Sequence, residues 1–564
     1  MNALAVLYGG SLTKFAFERV FASEPKVRGG QEVRDESLVR NGPLVRDALT
    51  LALERAAGLS GTTKTVLFIG DGFDRLAAAA NWEAPNNVEL VRAPVWTKKR
   101  LLETISTLSQ GFDLTWFAWA DCPLLDGDLA AAVADRHLRF AAEYSYADGW
   151  PYGFAPELLA PGVAGILAKI TGDDDGPVER DALFSVIQKD INAFDIETEI
   201  SPVDLRNHRL SLTADTKRNL MLLTSLIGAG LKSASDAAGI IEARPELLRT
   251  LPAFYAIQTS GPCAKACKLC PYPQFGALDG TAVTARQDFL DPAKFEALLD
   301  QIAAFSDDAV IDLSLWGEFA LHPQKIDLIR MTLERPDLSL IIETSGLGWK
   351  LAELEEAAAL AAQAALAASR CSSFNGAGRT APKAPLSWIV SLDTADEKRY
   401  GEIRGPGFAE AMETTRTLIR LFPGDTYVQA VRVAGEEDDT EKFYRTWKDE
   451  LAKTKGAANI IIQKYDDFCG VLPKKQATDL SPVTRRPCWH LMRDMNIVID
   501  GRVLLCREEL SALGNAAAGR VLGNVFEESL ETIWLRGTGP YREQCSRSYA
   551  GICAGCDEYY TFNF

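Results

Sequence analysis

Three cysteines, Cys263, Cys267 and Cys270, fall within eight residues, with three and then two residues between them. A short loop can turn their thiolates towards three corners of a [4Fe–4S] cube, and such clusters are normally held by four thiolates. Three local ligands without a close fourth leave one iron open to something other than cysteine. The bland alternative for such a loop is zinc. A second set closes the chain: Cys488, Cys506, Cys553 and Cys556, with Cys545 just before the last pair. Asp500-Gly501 between the apolar runs Met495–Ile499 and Val503–Leu505 predicts a hairpin that brings Cys488 and Cys506 towards one site. Four such ligands suit one auxiliary [4Fe–4S] cluster or a tetrahedral all-thiolate zinc. Cys545 could stand in for one of them, whereas Cys371 and Cys469 have no patterned partner. Asp121 lies just past the apolar run Leu114–Trp119 and is followed closely by Pro123. An Asp so placed can hold a divalent cation at the carboxyl edge of a sheet.

The elements that must carry these residues read as α/β throughout. In the first 230 residues the strand candidates are Ala3–Tyr8, Thr65–Ile69, Val88–Val91 and Leu114–Trp119, with helical stretches between them. Residues 231–250 read as a helical linker. The cysteine loop then follows a strand-like run, Phe254–Thr259, and Ser260-Gly261-Pro262 supplies the sharp bend. Further strands are expected at Ala309–Leu315, Leu338–Glu343, Ser387–Leu392, Thr426–Val433 and Ala458–Gln463. Asp291-Pro292 starts the first crossover helix, with Asp as cap and Pro at its first position. Six strands with helical crossovers form a parallel sheet, open or curled into a partial barrel, whose function lies at the carboxyl strand ends. The alanine-rich Leu351–Arg370 is a strong helix by propensity, and Cys371–Pro385 reads as an exposed loop. The domain organisation is therefore 1–230, a linker at 231–250, a sheet domain at 251–470, a linker at 471–487 and a cysteine module at 488–564.

Composition narrows the function. The net charge of −17 over 564 residues argues against a partner that is nucleic acid, because such binding rests on neutralising phosphates. No apolar run approaches the ~20 residues that span a bilayer. Met1–Val6 carries no basic stretch, so no signal peptide and no membrane association are expected, and the location is read as cytoplasmic. Ten of the eleven cysteines lie beyond residue 260, which suits metal or redox use rather than a disulfide framework.

The CxxxCxxC spacing resembles the cluster motif of the radical S-adenosylmethionine (SAM) enzymes, in which SAM chelates the open iron through its amino and carboxylate groups. Trp316-Gly317-Glu318 looks like that family's "GGE" motif with Trp in place of the first glycine. The resemblance implies that the backbone at Gly317 meets SAM's amino group, with Glu318 at the same place. It further implies contacts to SAM or substrate from Ser345 in Glu343-Thr344-Ser345-Gly346, and to the ribose or carboxylate from Asp393. Arg432, at the end of the fifth strand, would point into the cavity, and Arg404 could pair with a carboxylate. The C-terminal pattern of a cysteine, Gly501-x4-Cys506, Gly523-Asn524-Val525 and CxxC resembles the SPASM/twitch extension of the same enzymes, shortened to one cluster. Ala120-Asp121-Cys122-Pro123-Leu124-Leu125, Asp148–Leu159 and His208–Leu220 resemble the GT-A cytidylyltransferases that activate acidic sugars. There Asp121 and Asp215 would hold Mg²⁺ at a nucleotide site. The expected Gly- and Arg-rich phosphate loop is replaced by the short Leu7–Lys14, which favours ligand binding or scaffolding over transfer.

Together these features resemble the spiro-SPASM family. The implied fold is an N-terminal Rossmann-like GT-A nucleotidyltransferase-type domain, a partial (β/α)6 TIM-type barrel and a small SPASM/twitch-like module. The implied activity is reductive cleavage of SAM to a 5′-deoxyadenosyl radical that abstracts hydrogen from a peptide, protein or sugar nucleotide. A flavodoxin- or ferredoxin-type protein would donate the electron. The alternative is a nucleotidyltransferase or nucleotide-sugar-binding protein whose iron–sulfur half is regulatory or structural.

Overall fold

The computed structural model describes residues 2–20, 27–28, 31–32, 46–172, 176–276, 281–375, 385–453, 458–514 and 519–561. The chain divides into two compact units that part between Leu248 and Arg249.

The first unit is built on a seven-stranded sheet. Its strands are β1 (Ala3–Gly9), β2 (Thr62–Ile69), β3 (Val88–Arg92), β4 (Leu114–Trp119), β5 (Tyr144–Asp148), β6 (Glu157–Leu159) and β7 (Ile196–Ile200), in the order β3-β2-β1-β4-β6-β5-β7. The four strands expected from the sequence form its parallel half. β1 and β4 are buried along their whole length, which is why they read as unbroken apolar runs. The later strands are short and partly exposed, and β6 runs antiparallel to β4 and β5. The buried end of β4 leads directly into Ala120 and Asp121, with Ala120 N–H donating to Tyr8 O across the strand ends at 3.0 Å.

The second unit is a nine-stranded sheet. Six parallel strands come first: β8 (Phe254–Ile257), β9 (Ala309–Asp312), β10 (Leu338–Thr344), β11 (Leu386–Ser391), β12 (Thr426–Arg432) and β13 (Asn459–Lys464). They lie side by side in chain order, with helical crossovers such as Pro292–Ser306. That helix starts as expected: Asp291 accepts from Ala293 N and Lys294 N, and Pro292 takes the first turn. One sheet face packs on these helices through Tyr255, Ile311, Leu340, Ile342, Trp388 and Val428. Alternate residues point to the other face. There Val310, Ile341 and Ile389, flanked by Phe254 and Tyr427, make an apolar layer. One step nearer the carboxyl ends the same face carries Asp312, Glu343, Ser391 and Gln429. Glu343 accepts from Ser391 Oγ and from Gln429 Nε2.

The C-terminal cysteine segment extends this same sheet. β14 (Asp494–Ile497) pairs in parallel with β8 along Phe254–Ile257. β15 (Arg502–Leu504) returns antiparallel to it after the Asp500-Gly501 turn, and β16 (Val521–Asn524) completes the edge. Gly501 has φ 89°, the left-handed conformation such a turn requires. The alanine-rich helix spans Leu351–Asn375, past its expected end, so the backbone at Cys371–Asn375 is helical rather than loop. The remainder of that expected loop up to residue 384 lies outside the described residues. Among the described residues no helix is long and apolar enough to cross a membrane.

Candidate functional site

Cys263, Cys267 and Cys270 lie on the loop that leaves β8, and the chain clamps this loop from several sides. Cys263 N donates to Val283 O at 3.0 Å, Lys268 N to Ile403 O at 2.9 Å, and Cys270 N to Cys267 O at 3.3 Å. The Lys265 ammonium is buried and donates to Tyr400 Oη and to Pro406 O. Tyr272, just past the last cysteine, donates its hydroxyl to Gly261 O and receives bonds from Gln258 and Arg286. Burial pushes the Cys263 and Cys270 thiols up to about 12, with neighbouring negative groups adding to it, and raises Cys267 too. The opposing influence common to all three is the Arg404 guanidinium. A ligating thiol must lose its proton, so one buried cation facing three thiols favours the ligating form.

The neighbouring strand ends complete the mouth. Trp316 and Gly317 follow β9 with φ of 53° and 79°. A Cβ on Gly317 would fall on the Ser260 carbonyl oxygen, so only glycine lets the two loops cross there. Glu318 is buried and its carboxylate is fully engaged. It accepts from Thr344 Oγ1 (2.7 Å), Ser345 N (2.9 Å) and Ser345 Oγ (2.6 Å), and caps Phe319–Leu321 through Ala320 N (3.4 Å). Glu318 and Ser345 thus act as one unit that ties the end of β9 to the end of β10. Asp393, at φ 65°, accepts from Val431 N (3.0 Å) and from Arg404 Nη1 (2.6 Å). Arg404 therefore stands between Asp393 and the thiols. Arg432 does not join this group; it is exposed at the end of β12, within electrostatic reach of Glu437. Three buried polar atoms at the mouth lack a partner in the protein: Ser260 Oγ, Trp316 Nε1 and Arg404 Nε. Unsatisfied buried donors are costly, so the mouth is shaped for a polar ligand beside the cysteines. Deeper on the same face, burial together with Glu343 raises the Asp312 carboxyl to about 7.

The C-terminal cysteines also converge. Cys488 caps the helix Trp489–Arg493 and its N–H donates to Gln544 Oε1 at 2.9 Å. Its thiol is raised, chiefly by burial, with Cys556 and Cys553 in electrostatic reach. Cys506 leaves the hairpin and faces Glu508, Cys488 and Cys556. Arg520 donates to Cys553 Sγ at 3.2 Å, and Glu558 N to Cys556 Sγ at 3.3 Å. Cys545 packs in an apolar cluster with Cys488, Leu491, Leu505 and Tyr541. Among the described residues, no three cysteine sulfurs come within 4.8 Å of one another. Tetrahedral zinc with Zn–S of about 2.3 Å sets its sulfurs about 3.8 Å apart, whereas a four-iron cube spreads its corner thiolates further. Cys469, which no spacing in the sequence ties to the other cysteines, lies in electrostatic reach of Cys556, Cys506 and Glu508.

In the first unit Asp121 and Asp215 meet at one place, and the cation between them is Arg180. Its guanidinium bonds both oxygens of Asp121, at 2.7 and 2.6 Å, and Asp215 Oδ2 at 3.1 Å. It lies over the Trp119 ring at 4.3 Å, with Tyr152 beyond. Thr213 Oγ1 and Asn219 Nδ2 satisfy the other Asp215 oxygen. The sequence expectation placed Mg²⁺ between these carboxylates; the structure places a guanidinium there, so the donor set is already neutralised and bidentately paired. Nothing local in the sequence marks Arg180, which lies 59 residues from Asp121.

Residues 488–557 match the SPASM iron–sulfur cluster-binding domain family. An uncharacterized protein of Treponema pallidum (strain Nichols) is 35% identical over 389 residues, which cover 68% of this chain and 98% of the relative. Among solved structures, Streptococcus suis SuiB bound to the precursor peptide SuiA is 15% identical, with a TM-score of 0.36, over 54% of this chain and 71% of SuiB. A cytidylyltransferase from Leptospira borgpetersenii is 18% identical, with a TM-score of 0.32, over 44% of this chain and 95% of its own.

Proposed function

The chain belongs to the same family as the Treponema pallidum relative, and we propose that it is a radical SAM enzyme with one auxiliary iron–sulfur cluster. The observation that carries the reading is the mouth of the second sheet. Three thiols on one loop face a single buried guanidinium, beside a left-handed Trp316-Gly317 crossing and three unpartnered buried polar atoms. In this reading Cys263, Cys267 and Cys270 hold a [4Fe–4S] cluster, and Cys488, Cys506, Cys553 and Cys556 supply the auxiliary site within the matched SPASM segment. Bound there, the cluster and SAM would supply reductive SAM cleavage and, through it, hydrogen abstraction from the substrate.

The protein's own residues bind and orient. Ser260, the Trp316 indole and Arg404 Nε offer polar atoms to SAM. Glu318 fixes the Ser345 hydroxyl and backbone and so holds the rim of β10 in place. Asp393 sets the direction of Arg404. The layer of Asp312, Glu343, Ser391 and Gln429 lines the floor beneath, where a polar substrate (a peptide, protein or sugar nucleotide) would lie. Electrons come from a flavodoxin- or ferredoxin-type donor in a cytoplasmic setting.

The first unit is a binding or scaffolding domain in this reading. Arg180 fills the position that a nucleotidyltransferase would give to its metal, and this favours the radical SAM reading over the nucleotidyltransferase alternative. The experiment is anaerobic turnover: reconstituted, dithionite-reduced protein with SAM should form methionine and 5′-deoxyadenosine, and Cys267→Ala should abolish both. Absence of SAM cleavage by fully reconstituted wild type would overturn the proposal.

A further inference from the structure

We propose that Phe468, on the loop that leaves β13, is a positioning residue of the SAM mouth: its ring holds the Trp316 indole, and with it the backbone at Gly317, in place. This rests on the reading of that mouth as the SAM site. Phe468 lies outside the cysteine loop, the strand-end motifs and the matched SPASM segment.

The need for such a residue begins at Trp316, which takes the place of the first glycine in the motif it resembles. Its backbone is left-handed, at φ 53°, and Gly317 follows at 79°. Glycine takes that conformation freely, whereas a bulky residue keeps it only where its surroundings impose it. Two rings do so here. Tyr272 stacks on the indole, with centroids 6.0 Å apart and planes 11° apart. It is itself fixed by its bonds to Gly261 O, Gln258 and Arg286. Phe468 is the second ring, with its centroid 5.8 Å from the indole and its plane tilted by 52°. Trp316 and Phe468 pack, together with Cys263 and Cys270, against one apolar cluster that includes Tyr272 and Leu315.

The chain bends sharply to present the Phe468 ring. Phe468 and Cys469 are both left-handed, at φ 52° and 57°. Asp466 Oδ1 accepts from Phe468 N at 2.7 Å, and Asp467 Oδ1 from Gly470 N at 2.9 Å. Leu472 N donates to Asp467 O at 2.9 Å, and Tyr465 donates its hydroxyl to Pro473 O at 2.7 Å. The other Asp466 oxygen pairs with Arg507 Nη2 at 3.3 Å. The turn is therefore closed at its base and pinned by the C-terminal segment, which gives the ring a fixed place.

The indole nitrogen is what the ring keeps in position. Trp316 Nε1 is buried without a partner in the protein, as is Ser260 Oγ beside the Gly317 crossing. A buried donor without an acceptor is costly. SAM satisfies it only while the indole is held with that N–H at the mouth. Loosening the indole lowers the fraction of the protein that is ready to bind, and the apparent affinity falls with that fraction.

The test is SAM binding by the full chain after anaerobic reconstitution, read by equilibrium titration beside iron content. Phe468→Ala should raise the SAM dissociation constant about 3- to 10-fold, the worth of one aromatic pair, at unchanged iron. Phe468→Tyr, which keeps the ring, should bind SAM as wild type does. Phe468→Leu, which keeps bulk without a ring, should show the same loss and serves as the readout should the alanine chain fail to fold. A double-mutant cycle with Trp316→Gly separates positioning from simple packing. Glycine suits the left-handed backbone and carries no indole to hold, so Phe468→Ala in that background should not weaken SAM binding further. A loss of the same size with and without the indole, or wild-type affinity in both Phe468→Ala and Phe468→Leu, would overturn the assignment. An iron-loaded wild type that binds no SAM would instead overturn the reading of the mouth on which the assignment stands.

Discussion

Replacing Arg180 by methionine keeps the length of the side chain and removes its charge. The two carboxylates it joins are buried, Asp121 at 3% and Asp215 at 8% exposure. Asp215 keeps its bonds from Thr213 and Asn219, whereas Asp121 loses both guanidinium bonds and retains a weak contact with the Cys122 thiol at 3.7 Å. Breaking a buried pair by removing one partner costs about 3–5 kcal/mol, because a charge is left without compensation. A domain of this size loses about 2–4 °C in Tm per kcal/mol, so a drop of about 10 °C is expected. The first unit can be read by itself through hydrogen exchange of peptides covering β1 and β4. Asp121→Asn in the same chain should return part of the loss, since it removes the stranded charge. A loss below about 1 kcal/mol, the value of an exposed ion pair, would refute the argument that the guanidinium occupies the cation position.

Three further outcomes follow from the second unit. Glu318→Gln replaces an acceptor of the Ser345 N–H and hydroxyl bonds by an amide that can satisfy only part of them; a local loss of about 1–3 kcal/mol should appear as weaker SAM binding in equilibrium titration, with iron content unchanged. Gly317→Ala would set a Cβ on the Ser260 carbonyl, so the two loops must part; SAM binding should be lost while exchange protection of the first unit is retained. Asp312 has a folded-state value raised to about 7, so its contribution to stability is present below the ordinary carboxylate range and is lost as pH rises through about 7. At most about 4 kcal/mol is involved, and Asp312→Asn should therefore be more stable relative to wild type at pH 8 than at pH 5 in urea unfolding.

The parts legible in the sequence are those that short-range chemistry dictates. The parallel strands β1, β4 and β8–β13 announce themselves as apolar runs, although β13 is a partly exposed edge strand, and the Asp291-Pro292 cap and the Asp500-Gly501 turn carry their own geometry. The CxxxCxxC loop is legible because its three ligands are local. The short β6 and the partly exposed β5 and β7 give no such run. The helix past Arg370 continues because nothing between residues 370 and 375 stops it, although the composition there reads as loop. Arg180 escaped because the carboxylates it joins lie 59 and 35 residues away in the chain. Its neighbours in sequence carry no trace of the role. Arg432 was expected in the cavity from its place at a strand end, but at the last residue of β12 its side chain is exposed.

The most direct test of the central claim is EPR of the dithionite-reduced, anaerobically reconstituted protein, recorded with and without SAM alongside its iron content. The account predicts about eight irons per chain and a cluster signal that shifts when SAM is added, with the shift lost in Cys263→Ala. A fully loaded protein whose signal is indifferent to SAM would contradict it.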